Sequence, residues 1–244
     1  MPELSSTAWL IAALVALIVG VSKTALPGMG IVVVPMLAMV LPARQSVGAL
    51  LPLLIAADVV ALLLYRRHAD VPLLLRLLVP TVFGIGAGLV LLRAADDDTL
   101  RPFLGGLILA LLALELVRRR AGWKNLPHAG WFTALTGMAT GFSTTVGNVA
   151  GPIMNLYLLS RGMDKGAFMG TIAWFFLVVN CAKVPLFATL GMINADTLRL
   201  DLFLLPLVLA GTFIGRRLLP VIPLALFERL ILLLAALGAL RLLL

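Results

Sequence analysis

Gly20-Val21-Ser22-Lys23-Thr24-Ala25-Leu26-Pro27-Gly28-Met29-Gly30 interrupts an otherwise apolar run that extends from Trp9 to Val19 before it and from Ile31 to Leu41 after it. A lysine, two hydroxyls, a proline and three glycines fall together there. A second break, Gly141-Phe142-Ser143-Thr144-Thr145-Val146-Gly147-Asn148-Val149-Ala150-Gly151-Pro152, follows at an offset of 121 residues: Gly20 falls on Gly141, Ser22 on Ser143, Thr24 on Thr145 and Gly30 on Gly151. Each half of the 244-residue chain thus carries one interrupted apolar segment at a corresponding place. In membrane proteins built from repeats, such paired interruptions point to a ligand site near the bilayer midplane.

Composition sets the surroundings of the breaks. The chain is 62% hydrophobic and 12% charged, with mean hydropathy +1.12. That leaves too little polar surface for a water-soluble domain of this length and predicts a polytopic membrane protein. Regular alternation of apolar and polar residues is missing, so helices are expected rather than a β-barrel. The formal charge of +8 sits largely at the ends of apolar runs. It therefore reads as a topology signal, not as a nucleic-acid surface. A single cysteine, Cys181, excludes an intrachain disulfide. His68 and His128 lie in or near polar connections without clustered partners, so no metal site or cofactor is expected. The start, Met-Pro-Glu, lacks the basic n-region of a cleavable signal peptide.

The first break separates two expected short helices, residues 7–20 and 28–42, each of about 14 residues or about 21 Å. Residues 130–142 and 147–160 flank the second. Either pair reads as a re-entrant hairpin or as two tilted short spans, so the total is six full spans with two hairpins, or ten spans. The remaining segments run from about Gln45 to Tyr65, Val71 to Leu92, Leu100 to Val117, Gly166 to Leu190, Asp196 to Arg217 and Pro223 to the C-terminus. Gly84, Gly86 and Gly88 form a small-residue stripe for close helix packing, to be compared with Gly211 and Gly215. Asp96 to Thr99 supplies N-caps for the segment that follows.

Charge then sets orientation. Arg66-Arg67, Arg118 to Lys124, Arg161 with Lys165, and Arg216-Arg217 should lie in the cytoplasm, and the loops at Asp96–Asp98 and Gly191–Asp196 outside. The segment from Gln45 then runs inward and its counterpart from Gly166 outward. The two halves are expected to be inverted repeats: a first membrane repeat over 1–120, a cytoplasmic basic connection over 121–129 and a second repeat over 130–244. Each holds a broken or re-entrant helix pair followed by three transmembrane helices, and both termini face outside.

A helix interrupted in lipid exposes backbone donors and acceptors, which is tolerable only against protein or a wet cavity. Helices resuming near Gly28 and Gly147 would aim N–H groups and the positive end of the dipole inward, which favours an anion. Ser22, Thr24, Ser143, Thr144, Thr145 and Asn148 add neutral donors. Lys23 adds a full charge that needs an anion, a carboxylate or water, unless it snorkels to an interface. Asp58 lies inside an apolar segment, and its counterpart at an offset of 122 is Asn180, with Lys183 three residues on along the same face. An intramembrane carboxylate is a proton carrier or the partner of a lysine; Lys23 and Lys183 both stand as partners. Glu115 reads as an interfacial ion pair with Arg118 or Arg119, and Glu228 with Arg229 as a similar pair. Trp174, Phe175 and Phe176 read as packing residues that could also line a cavity.

The first break, continued by Val32-Val33-Val34-Pro35-Met36-Leu37-Ala38, resembles the first signature of the TauE/SafE sulfite-exporter family, and the second break is similar to that family's second-half motif. The resemblance covers essentially the whole chain. It implies transport of a sulfur-containing anion, sulfite or an organosulfonate such as sulfoacetate, across the bacterial cytoplasmic membrane. Thr144 stands in the second break where Lys23 stands in the first, so a site shared by both is charge-asymmetric. Export by alternating access is the expected function. Lys23 attracts the anion, the hydroxyls, Asn148, Gly28 and Gly147 bind it, and Asp58, Asn180 and Lys183 are coupling or supporting groups. A coupling proton or sodium ion and a homodimer remain open. The rival readings are a channel or uptake permease for another small anion such as a carboxylate, a membrane scaffold, and an intramembrane enzyme using Lys23 or Ser143. The last lacks a clustered His/Asp/Glu set to activate a nucleophile.

Overall fold

A computed structural model of the chain describes residues 5–25, 29–66, 69–121, 126–127, 129–218 and 224–244; for 29, 119, 121, 218 and 224–231 the backbone alone is described. Gly28, Arg67, His68, Lys124 and His128 lie outside the described residues, as do the side chains of Arg119, Glu228 and Arg229. Regular structure among the described residues is entirely helical. The order is α1 (Ser6–Thr24), a 3-10 turn (Met29–Val32), α2 (Val33–Leu37), α3 (Ala43–Tyr65), α4 (Val71–Ala94) and α5 (Asp97–Ala121), then α6 (Gly130–Gly147), α7 (Gly151–Ser160), α8 (Lys165–Thr189), α9 (Ala195–Leu218) and α10 (Leu224–Leu243). Among the described residues six segments are long and apolar enough to cross a bilayer: α1, α3, α4, Asp97–Arg118 of α5, α8 and Ala195–Arg217 of α9. Leu75, Val79, Val82, Phe83 and Val90 of α4 and Leu202, Phe203 and Phe213 of α9 are exposed. Contiguous apolar surface of this kind suits lipid rather than water. The chain is an all-helical, multi-pass membrane protein.

Both breaks differ from expectation in the same way. Helix α1 does not end at residue 20 but runs through Ser22, Lys23 and Thr24. At 19 residues it is about 28 Å long, close to a full hydrocarbon crossing. The polar residues do not stop it because nearby carbonyls satisfy them: the Ser22 hydroxyl donates to the Val19 carbonyl at 2.8 Å, and the single Thr24 hydroxyl proton is shared between the Thr212 carbonyl at 3.0 Å and the Gly20 carbonyl at 3.3 Å. The helix ends at Thr24 with Ala25 as its C-cap, and regular structure resumes at Met29. What resumes is short, the 3-10 turn and the five-residue α2, not a helix over 28–42. Likewise α6 continues through Ser143, Thr144 and Thr145 to Gly147. It stops at Asn148, whose φ of 52° is a left-handed C-cap, and α7 opens at Gly151 with Pro152 in its first turn. Each break is thus one long helix followed by a short one.

The glycines decide which helices meet. Gly20 lies against Val208, Gly211 and Thr212, and Gly84 against Met138 and Phe142, so closely that a Cβ on either would overlap neighbouring backbone. Contacts Trp9–Phe203, Thr24–Thr212 and Gly215–Thr24 rise in step along both chains, so α1 and α9 run parallel. Gly137 against Leu77 and Pro80, and Gly88 against Thr145, make α4 and α6 parallel as well. Of the expected stripe only Gly84 and Gly88 pack; Gly86 faces open space, because residues two apart point to different sides of a helix. Helices α3 and α8 cross antiparallel at the centre, with Gly48 against Met192 and Asp58 bonded to Asn180. Each half therefore packs its first helix on the third long helix of the other half.

At the helix starts, Asp96 accepts the Thr99 N–H at 2.9 Å and caps α5. Hydrogen bonding by the Thr99 side chain, and then by its N–H, holds the exposed Asp96 carboxyl below the ordinary carboxylate range. Asp97 accepts the Ala43 and Arg44 N–H groups at 3.0 and 2.9 Å, so the first turn of α5 caps α3.

Candidate functional site at the paired breaks

The ends of α1 and α6 and the middles of α3 and α8 enclose a cavity of about 50 Å³. One water needs roughly 10–15 Å³ on this measure, so the space suits a few waters or one small anion. Its polar lining is Ser22 and Lys23 from α1, Asp58 from α3, Thr144 and Asn148 at the end of α6, and Asn180 from α8. Gly30 and Gly151, which open the short segments after the two breaks, also face it, with Ile31, Leu54, Ala61, Ile172, Ala173 and Phe176 as apolar walls.

Lys23 reaches Asp58: Nζ is 2.7 Å from Oδ1, with the lysine side chain 16% exposed and the aspartate 1%. The ammonium also sits over the Phe176 ring, 4.5 Å from its centroid, which adds a cation–π attraction. Asn180 donates its Nδ2–H to the other carboxylate oxygen at 2.7 Å. Of the two lysines that stood as partners for Asp58, Lys23 makes the ion pair. Asp58 and Asn180 are counterparts at the repeat offset, and they bond to each other. A residue that meets its own counterpart sits where a two-fold axis would pass.

Lys183 serves the second break. Buried completely, its ammonium donates to the Thr144 carbonyl at 2.8 Å, the Thr144 hydroxyl at 3.0 Å and Asn148 Oδ1 at 2.8 Å. Three acceptors match three ammonium protons, and the C-terminal end of α6 favours a cation. Asn148 in turn donates to the Val47 carbonyl at 2.9 Å, tying the break to α3. At the first break, Tyr65 donates to the Thr24 carbonyl at 3.3 Å, satisfying one of the last acceptors of α1.

The other expected binding residues lie elsewhere. Thr24 turns to α9, donating to the Thr212 carbonyl at 3.0 Å. Thr145 turns to α4, packing on Gly88 and donating to the Gly141 carbonyl at 2.8 Å. Ser143 is buried, Gly147 packs against Leu104, and neither lines the cavity. Lys183 also lies outside the lining and acts through Thr144 and Asn148. Phe176, read from sequence chiefly as a packing residue, does line it, while Phe175 is core. The available signal is spacing: Phe176 and Ile172 precede Asn180 by one and two helical turns on one face. Glu115 makes a two-pronged pair with Arg118, at 2.9 Å to Nε and 2.5 Å to a terminal nitrogen.

A second cavity, about 290 Å³, is lined by Asp70, Pro72, Leu73, Arg76, Arg161 and Met163. Arg161 is held there by the Tyr157 and Thr133 hydroxyls at 2.5 and 3.1 Å. Among the described residues, no group of three or more His, Cys, Asp or Glu side chains comes together to hold a metal.

No curated protein and no solved structure matches the chain. The family model described as Sulfite exporter TauE/SafE matches residues 12–242, nearly the whole length of the chain. The chain belongs to the TauE/SafE sulfite exporter family of membrane transporters.

Proposed function

We propose that the protein is a secondary transporter that exports a small sulfur-containing anion, sulfite or an organosulfonate such as sulfoacetate, across the bacterial cytoplasmic membrane by alternating access. The observation that carries this reading is Lys23: a cation inside the membrane-spanning bundle, 16% exposed toward a cavity built from both breaks. Lys23 supplies the charge, Ser22, Thr144 and Asn148 orient the oxygens, and the backbone at Gly30 and Gly151 approaches closely where no side chain intervenes. Lys183 and Asn180 support the site from α8.

The two halves, 1–120 and 130–244 with a basic connection over 121–129, act as inverted repeats with both termini outside. Three features support the inversion: the reciprocal packing of α1 on α9 and of α6 on α4, the antiparallel α3 and α8, and the Asp58–Asn180 bond between counterparts. Rocking of one half against the other about this centre would open the cavity to either side in turn. The test is flux of sulfite and of sulfoacetate from sealed proteoliposomes holding the full chain. The reading expects saturable flux that an imposed ion gradient drives uphill. Flux that is unsaturable and always downhill would replace the transporter with a channel.

A further inference from the structure

We propose that anion binding and protonation of Asp58 are a single coupled event, so that the protein takes up one proton with each anion. This rests on the anion site proposed above and deepens it.

Among the described residues that line the cavity, the one cation an arriving anion meets is Lys23, and it already has a partner, Asp58, at 2.7 Å. An anion on Lys23 therefore stands beside Asp58, and two negative charges that close in a desolvated space do not both persist. One neutral form or the other must result. A sulfonate holds no proton near neutral pH, so the proton goes to Asp58.

The surroundings of Asp58 fit this assignment from every side. Lys23 approaches it from α1. From α8 come Asn180, which is neutral, the thiol of Cys181, and Lys183. Lys183 is committed to Thr144 and Asn148 by three hydrogen bonds and is not free to replace Lys23 as counter-ion. The facing groups from α6 and the second break are the neutral Thr144 and Asn148. Once Lys23 turns to the anion, Asp58 keeps only the Asn180 amide.

That amide is built for a neutral partner. Asn180 gives its Nδ2–H to Asp58 Oδ2, yet its own Oδ1 is buried with no hydrogen-bond partner among the described residues. A carboxylate can only accept, so it leaves an amide oxygen unserved; a carboxylic acid also donates and can pair with a carboxamide through two bonds. Protonation of Asp58 supplies the donor that Asn180 Oδ1 lacks. In the bound state the new bond is Oδ–H on Asp58, the proton comes from water, Lys23 stays an ammonium, and a monovalent anion brings no net charge into the site.

The experiment uses the purified full chain in detergent, with methanesulfonate and sulfite as probes. Proton uptake is counted from the binding heat of methanesulfonate in two buffers of different ionisation enthalpy. The proposal expects about one proton per anion and an apparent Kd that weakens about tenfold per pH unit over the range in which free Asp58 is ionised. Asp58→Asn, whatever its affinity, should take up none and lose the pH slope. Methanesulfonate binding by the wild-type protein with no proton uptake and no pH slope overturns the coupling while leaving the anion site intact. Proton uptake that persists in Asp58→Asn overturns the assignment to Asp58. Binding of neither probe overturns the anion site and the coupling with it. The wild-type count needs no variant, so a misfolded Asp58→Asn does not rescue the proposal.

Discussion

Lys183 is the least exposed charged side chain among the described residues and donates three hydrogen bonds to the end of α6. Hydrogen bonds from a charged donor contribute about 1.5–3 kcal/mol each, and orphaned acceptors in a buried site add to the loss. Lys183→Met should therefore lower stability by about 3 kcal/mol or more, seen as a lower melting temperature in detergent; an unchanged melting temperature would show that α6 ends without its help. At this scale the sequence makes the chemistry legible but not the aim. Ser22, Thr24, Ser143, Thr144 and Thr145 look alike while the breaks are read as loops. In helices, successive residues turn by about 100°, so Ser22 and Thr24 face nearly opposite ways, one to the cavity and the other to α9. The hydroxyl bonds back to the helix that keep α1 and α6 intact have no signature in composition.

The element scale is governed by close approach. Gly20 against Gly211 and Gly84 against Met138 allow backbone-to-backbone contact at the two crossings of the halves, the means by which membrane helices pack without a hydrophobic driving force. Gly20→Ala and Gly84→Ala should each destabilise by about 1–3 kcal/mol through overpacking. Gly86→Ala, with nothing within 4 Å of its Cβ position, should be neutral or slightly stabilising, since it also favours helix. Thermal denaturation of the three variants side by side checks this, and equal losses in all three would contradict the assignment of faces. The long segments α3, α4, α8 and α9 are legible because apolar length, Pro72 near a start and arginines at ends mark them. The five-residue α2 is not, since Ile31 to Leu41 is as apolar as any full span and apolar length alone does not mark where a helix within it ends.

For the whole molecule, the proposed inverted arrangement is an expectation drawn from the positions of arginines and from the 121-residue offset, and the reciprocal packing of α1 on α9 and α6 on α4 is consistent with it. Which helix of one half receives which helix of the other is not legible, because Leu-, Ala- and Gly-rich faces are interchangeable in sequence. Orientation has a direct test. In a Cys181→Ala background, single substitutions Asp98→Cys and Arg217→Cys should react with a membrane-impermeant maleimide from opposite sides of the cell membrane, Asp98→Cys from outside. Labelling of both from one side would contradict the inversion.

The central claim is that an anion crosses the membrane through the cavity where Lys23 meets Asp58 and Asn180. It is tested most directly by sulfite and sulfoacetate flux in sealed proteoliposomes, comparing the wild-type protein with Lys23→Ala and with Thr145→Ser. Thr145 belongs to the same break motif but packs on α4. The account predicts that flux falls at least ~10-fold in Lys23→Ala, the equivalent of one charge-assisted contact, and stays near wild type in Thr145→Ser. Wild-type flux in a folded Lys23→Ala would contradict it and leave the paired breaks as structural features alone.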